Sequence, residues 1–407
     1  MRQRNLVLAA VVSLLAGCDD GTSGSVQHAP DASPPGDATP PSADGSVPVP
    51  SDPSGPPPPL KPRLLLATYV GGAGNQYLRS ARIDPDGAVF AAGDGFSVRY
   101  DAALTSGTIQ GDATRDDGAP FTDQPPLRKQ PNTSWTVENG AVRVDDPRAG
   151  LSYFWGTQQV SNTLQQPIFL ACPIGAPCAK DSFDFRLWGW WASLANDLKL
   201  TADSRAYELW LLPSGRFGLQ GWTDGGNSLF ARDPRRTQTC TDAASCTDVK
   251  ATVAELGWSK GTWQELPDGV ATVIATVDPR TKGPTRMTFF ASPATRSVRD
   301  AWGRTYFPRA VARRTPKAEP ENPFGQAPTA SSGLFVLDET LQGVFNARLG
   351  GACAAPGQQS LGTMALVGNR LVLAGTTCAT DLPVTANAVS KRSGGAQDGY
   401  LVVLDLW

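Results

Sequence analysis

The sequence predicts an all-β fold, and three features of the chain support this. The C-terminal stretch Leu361–Asp405 alternates short apolar segments with Gly, Asn and Asp turns and ends in the apolar run Gly399–Asp405. Weaker copies of the pattern recur along the chain, and long helical periodicity is absent. Such units are typical of β-propeller blades, which need roughly 40–50 residues each, so we expect a single β-propeller of about five to seven irregular blades.

The N-terminus has the pattern of an export signal. Arg2 and Arg4 precede the apolar run Leu6–Leu15, which is too short to cross a hydrocarbon core of about 30 Å as a helix. The residues Leu15-Ala16-Gly17-Cys18 resemble the lipobox of bacterial lipoproteins. The resemblance implies that residues 1–18 are a signal peptide and that Cys18 is the lipid attachment site. The alternative is a plain secretory signal with an unmodified Cys.

Residues 19–62 are predicted to form a disordered tether. Thirteen of these 44 residues are Pro, and most others are Ser, Gly, Asp and Ala, so the segment has almost no apolar surface to bury. Pro-rich chains favour extended, polyproline-like conformations. We expect a spacer between the membrane and a folded domain of residues 63–407. The alternative is a Pro-rich motif around Pro56–Pro59 that an aromatic groove of a partner binds.

Composition excludes several classes of function. The net charge is −2 at pH 7 and the chain has no block of basic residues, so nucleic acid is not an expected partner. The single His is His28, which lies inside the predicted tether. Ser-His-Asp catalysis and His-ligated metal sites are therefore excluded for residues 63–407, and we predict no cofactor and no metal.

Six cysteines follow Cys18, which is an even number in an exported chain and favours disulfides. Four of them form two pairs with five intervening residues, a spacing that suits local disulfides and lacks the features of a zinc site. A redox role for these short loops is the alternative, and spacing alone does not prove the connectivity. The predicted pairs are Cys172 with Cys178, Cys240 with Cys246 and, by elimination, Cys353 with Cys378.

Tight hairpins are predicted where a turn containing Gly separates two short apolar segments. In the first hairpin Pro85-Asp86-Gly87 lies between Ile83 and Val89, and Leu366–Gly375 repeats the arrangement near the C-terminus. The turn glycines are unevenly spaced, which favours irregular blades with variable loops over a regular array. These turn glycines are Gly87, Gly140, Gly215, Gly269, Gly303 and Gly368.

Two segments resemble the bacterial β-propeller repeats whose pattern runs Tyr-Leu-Gly-Gly, then Asp-x-x-Gly-Asn-Val-Tyr-Val-Thr-Gly, then Asp-Phe-Pro. Ala347–Gly351 contains a second copy of the double-glycine corner. The resemblance covers roughly a third of the folded chain. It implies a propeller fold in an exported protein and implies no particular activity. The matching pieces are Tyr69-Val70-Gly71-Gly72, Asp84–Gly93, Ala374–Thr377 and Asp381-Leu382-Pro383.

The C-terminal strand predicts how the two ends of the folded chain pair. Gly399–Asp405 is apolar almost throughout, and an unpaired apolar edge strand invites aggregation. We therefore expect this strand to pair with the first strand, Arg63–Val70, and so to close the propeller. A last strand of a sandwich or an open sheet is the alternative.

The densest aromatic cluster supplies the candidate ligand-binding residues, because aromatic faces stack on sugar rings. The alternative is core packing, since the segment Phe183–Trp191 also has the pattern of a buried strand. The candidates are Trp188, Trp190, Trp191 and Trp222.

No catalytic residue is predicted. Carboxylates such as Asp184 and Glu208 do not form an obvious pair, and separation in space decides whether two carboxylates hydrolyse a glycosidic bond. The Arg-rich stretch Arg296–Arg314 is interpreted as a solvated face.

The sequence therefore predicts a protein that is lipid-anchored in the bacterial cell envelope and faces the periplasm or the cell surface. Its expected role is that of a binding or scaffold module for an envelope protein or a glycan, with the membrane contacted through the N-terminal lipid. The alternative is a carboxylate-based polysaccharide hydrolase or lyase on the same scaffold.

Overall fold

A computed structural model shows an all-β chain over the residues that it describes, as predicted. Among the described residues, no helix is long and apolar enough to cross a membrane. The structure describes residues 53–93, 95–111, 141–161, 164–175, 186–189, 204–223, 271–280, 283–290, 297–309, 323–324, 332–349, 353 and 360–407.

The described strands form five antiparallel sheets of four strands each, and most strands pair with their neighbours in sequence. Sheet I contains β2 (Ser80–Ile83), β3 (Val89–Ala92), β4 (Phe96–Tyr100) and β5 (Gly107–Gly111). Sheet II contains β6 (Ala141–Asp146), β7 (Leu151–Ser161), β8 (Leu164–Pro173) and β9 (Arg186–Gly189). Sheet III contains β10 (Ser204–Leu211), β11 (Phe217–Thr223), β12 (Ala271–Asp278) and β13 (Gly283–Phe290).

Sheet IV contains β14 (Val298–Arg299), β15 (Thr305–Arg309), β16 (Ser332–Leu337) and β17 (Gly343–Arg348). Sheet V contains β18 (Ser360–Val367), β19 (Arg370–Thr377), β20 (Asp398–Asp405) and, from the other end of the folded chain, β1 (Arg63–Val70).

The two ends of the folded chain pair with each other in sheet V, as the C-terminal strand predicted. Strand β1 runs antiparallel to β20, from the pair Arg63 and Asp405 to the pair Val70 and Gly399, with one irregularity between Leu64 and Leu66. Strand β20 is paired with β19 on its other side and is buried along most of its length. The apolar terminal strand therefore has no free edge.

Local turn chemistry explains the hairpins. Strands β2 and β3 meet at Gly87, and β10 and β11 meet at Gly215, both with φ near 80°, a conformation that favours glycine. The predicted turns at Gly303 and Gly368 also join consecutive strands. The predicted turns at Gly140 and Gly269 lie outside the described residues, although the strands that follow them, β6 and β12, are described.

Buried side chains connect neighbouring sheets. One apolar cluster contains Val98 of sheet I and Val403 of sheet V, and a second contains Leu373 of sheet V and Val336 of sheet IV. A smaller cluster joins sheet IV to sheet III through residues such as Phe335. Between sheets II and III, the indole of Trp155 donates a hydrogen bond of 2.8 Å to the carbonyl of Gln220. These contacts place the sheets in the order I, V, IV, III, II.

Short hairpin turns of different sheets lie together on one side, which we call the turn face. A Cβ atom at Gly303 would lie 2.9 Å from Pro213, so the turns of sheets IV and III touch. The guanidinium of Arg370 donates hydrogen bonds to the carbonyls of Gly87 at 3.1 Å and Ala102 at 2.8 Å, which joins sheets V and I. The turn face consists of residues 84–88, 101–106, 212–216, 300–304, 338–342 and 368–369.

The opposite strand ends form what we call the loop face. Two longer connections lie there: 71–79 joins sheet V to sheet I, and 378–397 joins β19 to β20 within sheet V. Both connections carry pieces of the repeat pattern, and their conformation depends on glycine: a Cβ atom at Gly71 would lie 2.2 Å from a carboxylate oxygen of Asp398. That carboxylate accepts hydrogen bonds from the backbone amides of Gly394 and Gly395 at 2.9 and 3.3 Å.

A disulfide joins Cys353 to Cys378, with 5.4 Å between the Cα atoms, as predicted. Cys172, at the end of β8, is also disulfide-bonded. The other predicted disulfide residues, Cys178, Cys240 and Cys246, lie outside the described residues, as does Cys18.

Candidate functional site

The structure describes the backbone of two of the four candidate tryptophans. Trp188 lies in β9 opposite Phe169, near the middle of β8. Trp222 lies in β11 opposite Thr272, one residue before β11 ends at the loop face. Trp190 and Trp191 follow β9 and lie outside the described residues. The candidates therefore do not form a described site by themselves.

A polar cluster lies where sheets III and IV meet, and we call it the inner-strand cluster because its residues come from the first strands of these sheets and from β11. It consists of Glu208, Trp210, Gln220, Ser297 and Arg299. Glu208 and Gln220 face each other as a cross-strand pair of β10 and β11. Ser297 and Arg299 lie at the start of β14, two residues apart.

Glu208 is held by two donors from sheet IV. The hydroxyl of Ser297 donates a hydrogen bond of 2.5 Å to the Glu208 carboxylate and also lies 3.3 Å from the amide oxygen of Gln220. The Arg299 guanidinium forms an ion pair with the same carboxylate and donates a hydrogen bond of 2.6 Å to the Ser297 hydroxyl. The charge of Glu208 is therefore neutralised inside the cluster.

The Arg299 guanidinium also stacks on an aromatic ring. Its central carbon lies 3.6 Å from the ring centroid of Trp210, a cation–π arrangement. Gly218 on β11 makes room for this indole, because a Cβ atom at that position would lie 2.0 Å from the ring. Trp210 and Arg299 therefore form a fixed layer between the two sheets.

The cluster is partly open to solvent, since the side chains of Glu208 and Arg299 are each 22% exposed. Within the cluster there is one carboxylate, and an arginine already pairs with it. Acid–base hydrolysis of a glycosidic bond uses two carboxylates in different protonation states. The described arrangement instead offers fixed donors and acceptors beside an aromatic ring, which suits recognition of a polar ligand.

A second group of aromatic and charged residues lies on the turn face, and we call it the turn-face groove. Trp302 and the C-terminal Trp407 meet edge to face, with ring centroids 5.5 Å apart. The Arg304 guanidinium lies 5.5 Å from one ring centroid and 5.1 Å from the other. Arg304 also donates a hydrogen bond of 2.5 Å to Asp300, and the hydroxyl of Tyr306 donates one of 2.8 Å to the same carboxylate.

The buried pair of Asp300 and Arg304 holds this groove together. Both side chains are almost fully buried, so each charge depends on the other. Burial, followed by the negative charge of Asp300, raises the pKa of Tyr306 well above its ordinary value, so this hydroxyl stays a donor. The interpretation of Arg296–Arg314 as a solvated face is wrong for Arg304, which is 4% exposed.

Sequence reasoning missed both groups. Glu208 and Arg299 are 91 residues apart, and no local spacing predicts that they meet. Trp407 reaches Trp302 because β20 carries the C-terminus to the turn face. The sequence feature that could have pointed to the turn-face groove is Trp302 in its Trp-Gly turn, because a large aromatic residue in a hairpin turn needs a packing partner.

The repeat motifs also converge, at the loop-face end of sheet V. The Tyr69 hydroxyl donates a hydrogen bond of 3.0 Å to the carbonyl of Ala379 and accepts one of 3.0 Å from the amide of Leu382. The Tyr400 hydroxyl donates to the carbonyl of Pro383. Burial raises the pKa of Tyr69 to about 12. These tyrosines therefore serve the structure of the repeat.

No protein-family model and no curated protein sequence matches the chain. Among solved structures, an acylaminoacyl peptidase in complex with Z-Gly-Gly-Phe-chloromethyl ketone is 7% identical, with a TM-score of 0.24; 74% of this chain spans only 43% of that protein. A luciferin-regenerating enzyme is 9% identical, with a TM-score of 0.23 and coverage of 85% and 95%. A GH43_1 enzyme from Xanthomonas citri is 11% identical, with a TM-score of 0.24 and coverage of 83% and 89%. These similarities are too low to assign a family or an activity.

Proposed function

We propose that this protein is a lipid-anchored binding module of the bacterial cell envelope, built as a single closed β-propeller of five blades, and that it binds a glycan or an envelope protein. The observation that carries the binding role is the inner-strand cluster, in which Arg299 and Ser297 neutralise Glu208 beside the ring of Trp210. Such a cluster recognises polar groups without needing a catalytic acid or base.

Topology supports the propeller. Five consecutive four-stranded sheets, with β1 inserted into the last one, are what a ring of blades with paired termini requires. The contacts described above connect the sheets in the order I, V, IV, III, II. We propose that sheets I and II also meet, which completes the ring and gives five blades.

In such a ring the first strand of each sheet lies nearest the axis, so β10 and β14 line the centre. The inner-strand cluster then lies near the centre of the molecule, with Arg299 directly before the turn 300–304 of the turn face and Glu208 near the middle of β10. Trp222 lies two residues beyond Gln220 in β11, and Trp188, Trp190 and Trp191 belong to the neighbouring sheet and the segment after it. We propose that this region binds the hydroxyl groups and ring faces of a glycan or the polar surface of an envelope protein.

The test is a glycan array combined with a pull-down from envelope extracts, using the mature chain with Cys18→Ser. Replacing Arg299 with Ala removes a charged hydrogen-bond donor, so we expect affinity for the recognised ligand to fall roughly 10–100-fold. Trp190→Ala and Trp191→Ala test the aromatic contribution in the same assay.

The matched control is Arg99→Ala, which removes an equally sized, half-exposed side chain that pairs with Asp84 in sheet I. This variant should bind as the unmodified chain does. Turnover of a polysaccharide that is lost in Glu208→Gln would replace the proposed role by a hydrolase or lyase. Binding that is unchanged in the Arg299 and tryptophan variants would exclude this site as the binding surface.

A further inference from the structure

The end of the predicted tether is attached to the folded part of the chain. Residues 53–60, which we call the strap, cross the turn face and lead into β1. The indole of Trp302 donates a hydrogen bond of 2.9 Å to the carbonyl of Gly55, and the guanidinium of Arg304 donates one of 2.7 Å to the carbonyl of Pro58. At its end Leu60 packs against the apolar cluster of sheets IV and V.

The two bonded carbonyls have the spacing of a polyproline helix. Residues 53 and 54 form a turn and Gly55 a bend, and Pro56–Pro59 follow outside any helix, strand or turn. Gly55 and Pro58 are three residues apart, which is the repeat of a polyproline helix. A polyproline helix has no internal hydrogen bonds, so its carbonyls can accept hydrogen bonds from groups outside the helix. The turn-face groove supplies two donors at the matching interval.

The groove is otherwise lined by surfaces that suit prolines. Trp302 provides an aromatic face, which is what proline-rich ligands contact in grooves that recognise the polyproline conformation. Together with turns of sheets III and IV, the strap borders an open cavity of about 780 Å³. Its lining includes Pro53 and Pro57–Leu60 of the strap, Pro213, and Asp338–Thr340.

The donors of the groove are held before the strap binds. The Arg304 guanidinium is fixed by its buried pair with Asp300 and by the rings of Trp302 and Trp407. A pre-organised donor loses little side-chain entropy when a ligand binds. Since the polyproline segment is also stiff, docking costs less ordering than it does for a flexible peptide.

We propose that the turn-face groove is a recognition site for a proline-rich segment in the polyproline conformation, and that its occupant is the proline run Pro56–Pro59 of the same chain together with the carbonyl of Gly55 that precedes it. The strap fixes the point at which the tether leaves the molecule. It places that point on the turn face, opposite the connections 71–79 and 378–397 of the loop face. This docking does not rest on the proposed function.

The test measures the distance between two spin labels in the mature chain with Cys18→Ser. One label is placed at Gly55→Cys, where a side chain meets nothing within 4 Å, and the other at Val367→Cys, which is 45% exposed on the turn face. We expect a single narrow distance distribution. Trp302→Ala should broaden it, and Trp302→Phe, which keeps a ring but loses the donor, should broaden it less.

A second label pair, Leu211→Cys with Val367→Cys, reports on the folded part alone, and its distribution should stay narrow in every variant. A broad distribution for the strap pair in the unmodified groove would overturn the proposal. A strap distribution that Trp302→Ala leaves unchanged, while the second pair stays narrow, would also overturn it. Loss of ligand binding in the arrays bears on the proposed function alone, so the two failures are distinguishable.

Discussion

At the scale of single residues, tyrosine hydroxyls connect parts of the chain that are far apart in sequence. Tyr69 bonds the backbone of Ala379 and Leu382, more than 300 residues away. Tyr100 is bonded in the same way, since its hydroxyl donates to the carbonyl of Asn387 and accepts from the amide of Val389. Each of these hydroxyls contributes to the stability of the fold only while it keeps its proton.

Unfolding at high pH tests this role for Tyr69. Its pKa rises from 10.0 in a free tyrosine to about 12 in the folded chain, so the folded state favours the protonated form. The stability from this group is therefore present below about pH 10 and is lost as the pH rises towards 12. The loss amounts to at most about 3 kcal/mol.

Denaturant unfolding of the unmodified chain and of Tyr69→Phe between pH 8 and pH 12 measures this loss of stability. The Phe variant should be less stable at pH 8, by about 2 kcal/mol, because two hydrogen bonds of about 1 kcal/mol each are lost. Its free energy of unfolding should then fall less steeply above pH 10, because the titration of Tyr69 is missing. It should still fall, because the other titrating groups are present in both chains. Equal slopes for the two chains would contradict the assigned role of Tyr69.

At the scale of elements, the pairing of β1 with β20 decides whether sheet V has a protected edge. Strand β20 is apolar and lies between β19 and β1. Without β1 its backbone N–H and C=O groups would form an open apolar edge, which is a template for aggregation. Strand β1 also contributes Leu66 and Val70 to the cluster that joins sheets V and I.

Truncation tests this element. A chain of residues 71–407 lacks β1, and we expect it to aggregate or to unfold at a much lower temperature than a chain of residues 63–407. The longer chain lacks the strap but keeps β1, and it therefore separates the two contributions. Size-exclusion chromatography and thermal unfolding provide the measurement. A monomeric 71–407 chain with an unchanged melting temperature would show that β1 is dispensable.

At the scale of the whole molecule, the turn face and the loop face are built from different kinds of connection. The described turn face consists of short hairpin turns with the strap docked on them. Among the described residues, the loop face carries the longer connections 71–79 and 378–397. The proposed attachment of the tether at the turn face would leave the loop-face connections accessible.

The lipid anchor is tested at this scale as well. We expect the unmodified protein to sediment with membranes and to incorporate labelled fatty acid, because acyl chains on Cys18 bury many methylene groups in the bilayer. Cys18→Ser should remove the label, and the exported chain should no longer be held by acyl chains. Membrane association of Cys18→Ser that resists high salt and carbonate washing would show that another part of the chain anchors it.

Much of the fold follows from local sequence. The turns at Gly87, Gly215, Gly303 and Gly368 are predictable because a tight turn between apolar segments needs a residue that tolerates positive φ. The pairing of the terminal strand is predictable because an apolar strand cannot be left as an edge. The Cys353–Cys378 disulfide is predictable by elimination from two regularly spaced pairs.

Turn chemistry and strand periodicity are local properties, so the all-β class, the hairpins that join the strands and the pairing of the chain ends could be predicted from residue order alone. The contact of Arg299 with Glu208, the burial of Arg304 beside Asp300 and the meeting of Trp302 with Trp407 beside the strap emerged only from the folded chain. These contacts depend on which sheets become neighbours and which turns share a face. That arrangement results from packing between distant segments, which residue spacing along the chain does not specify.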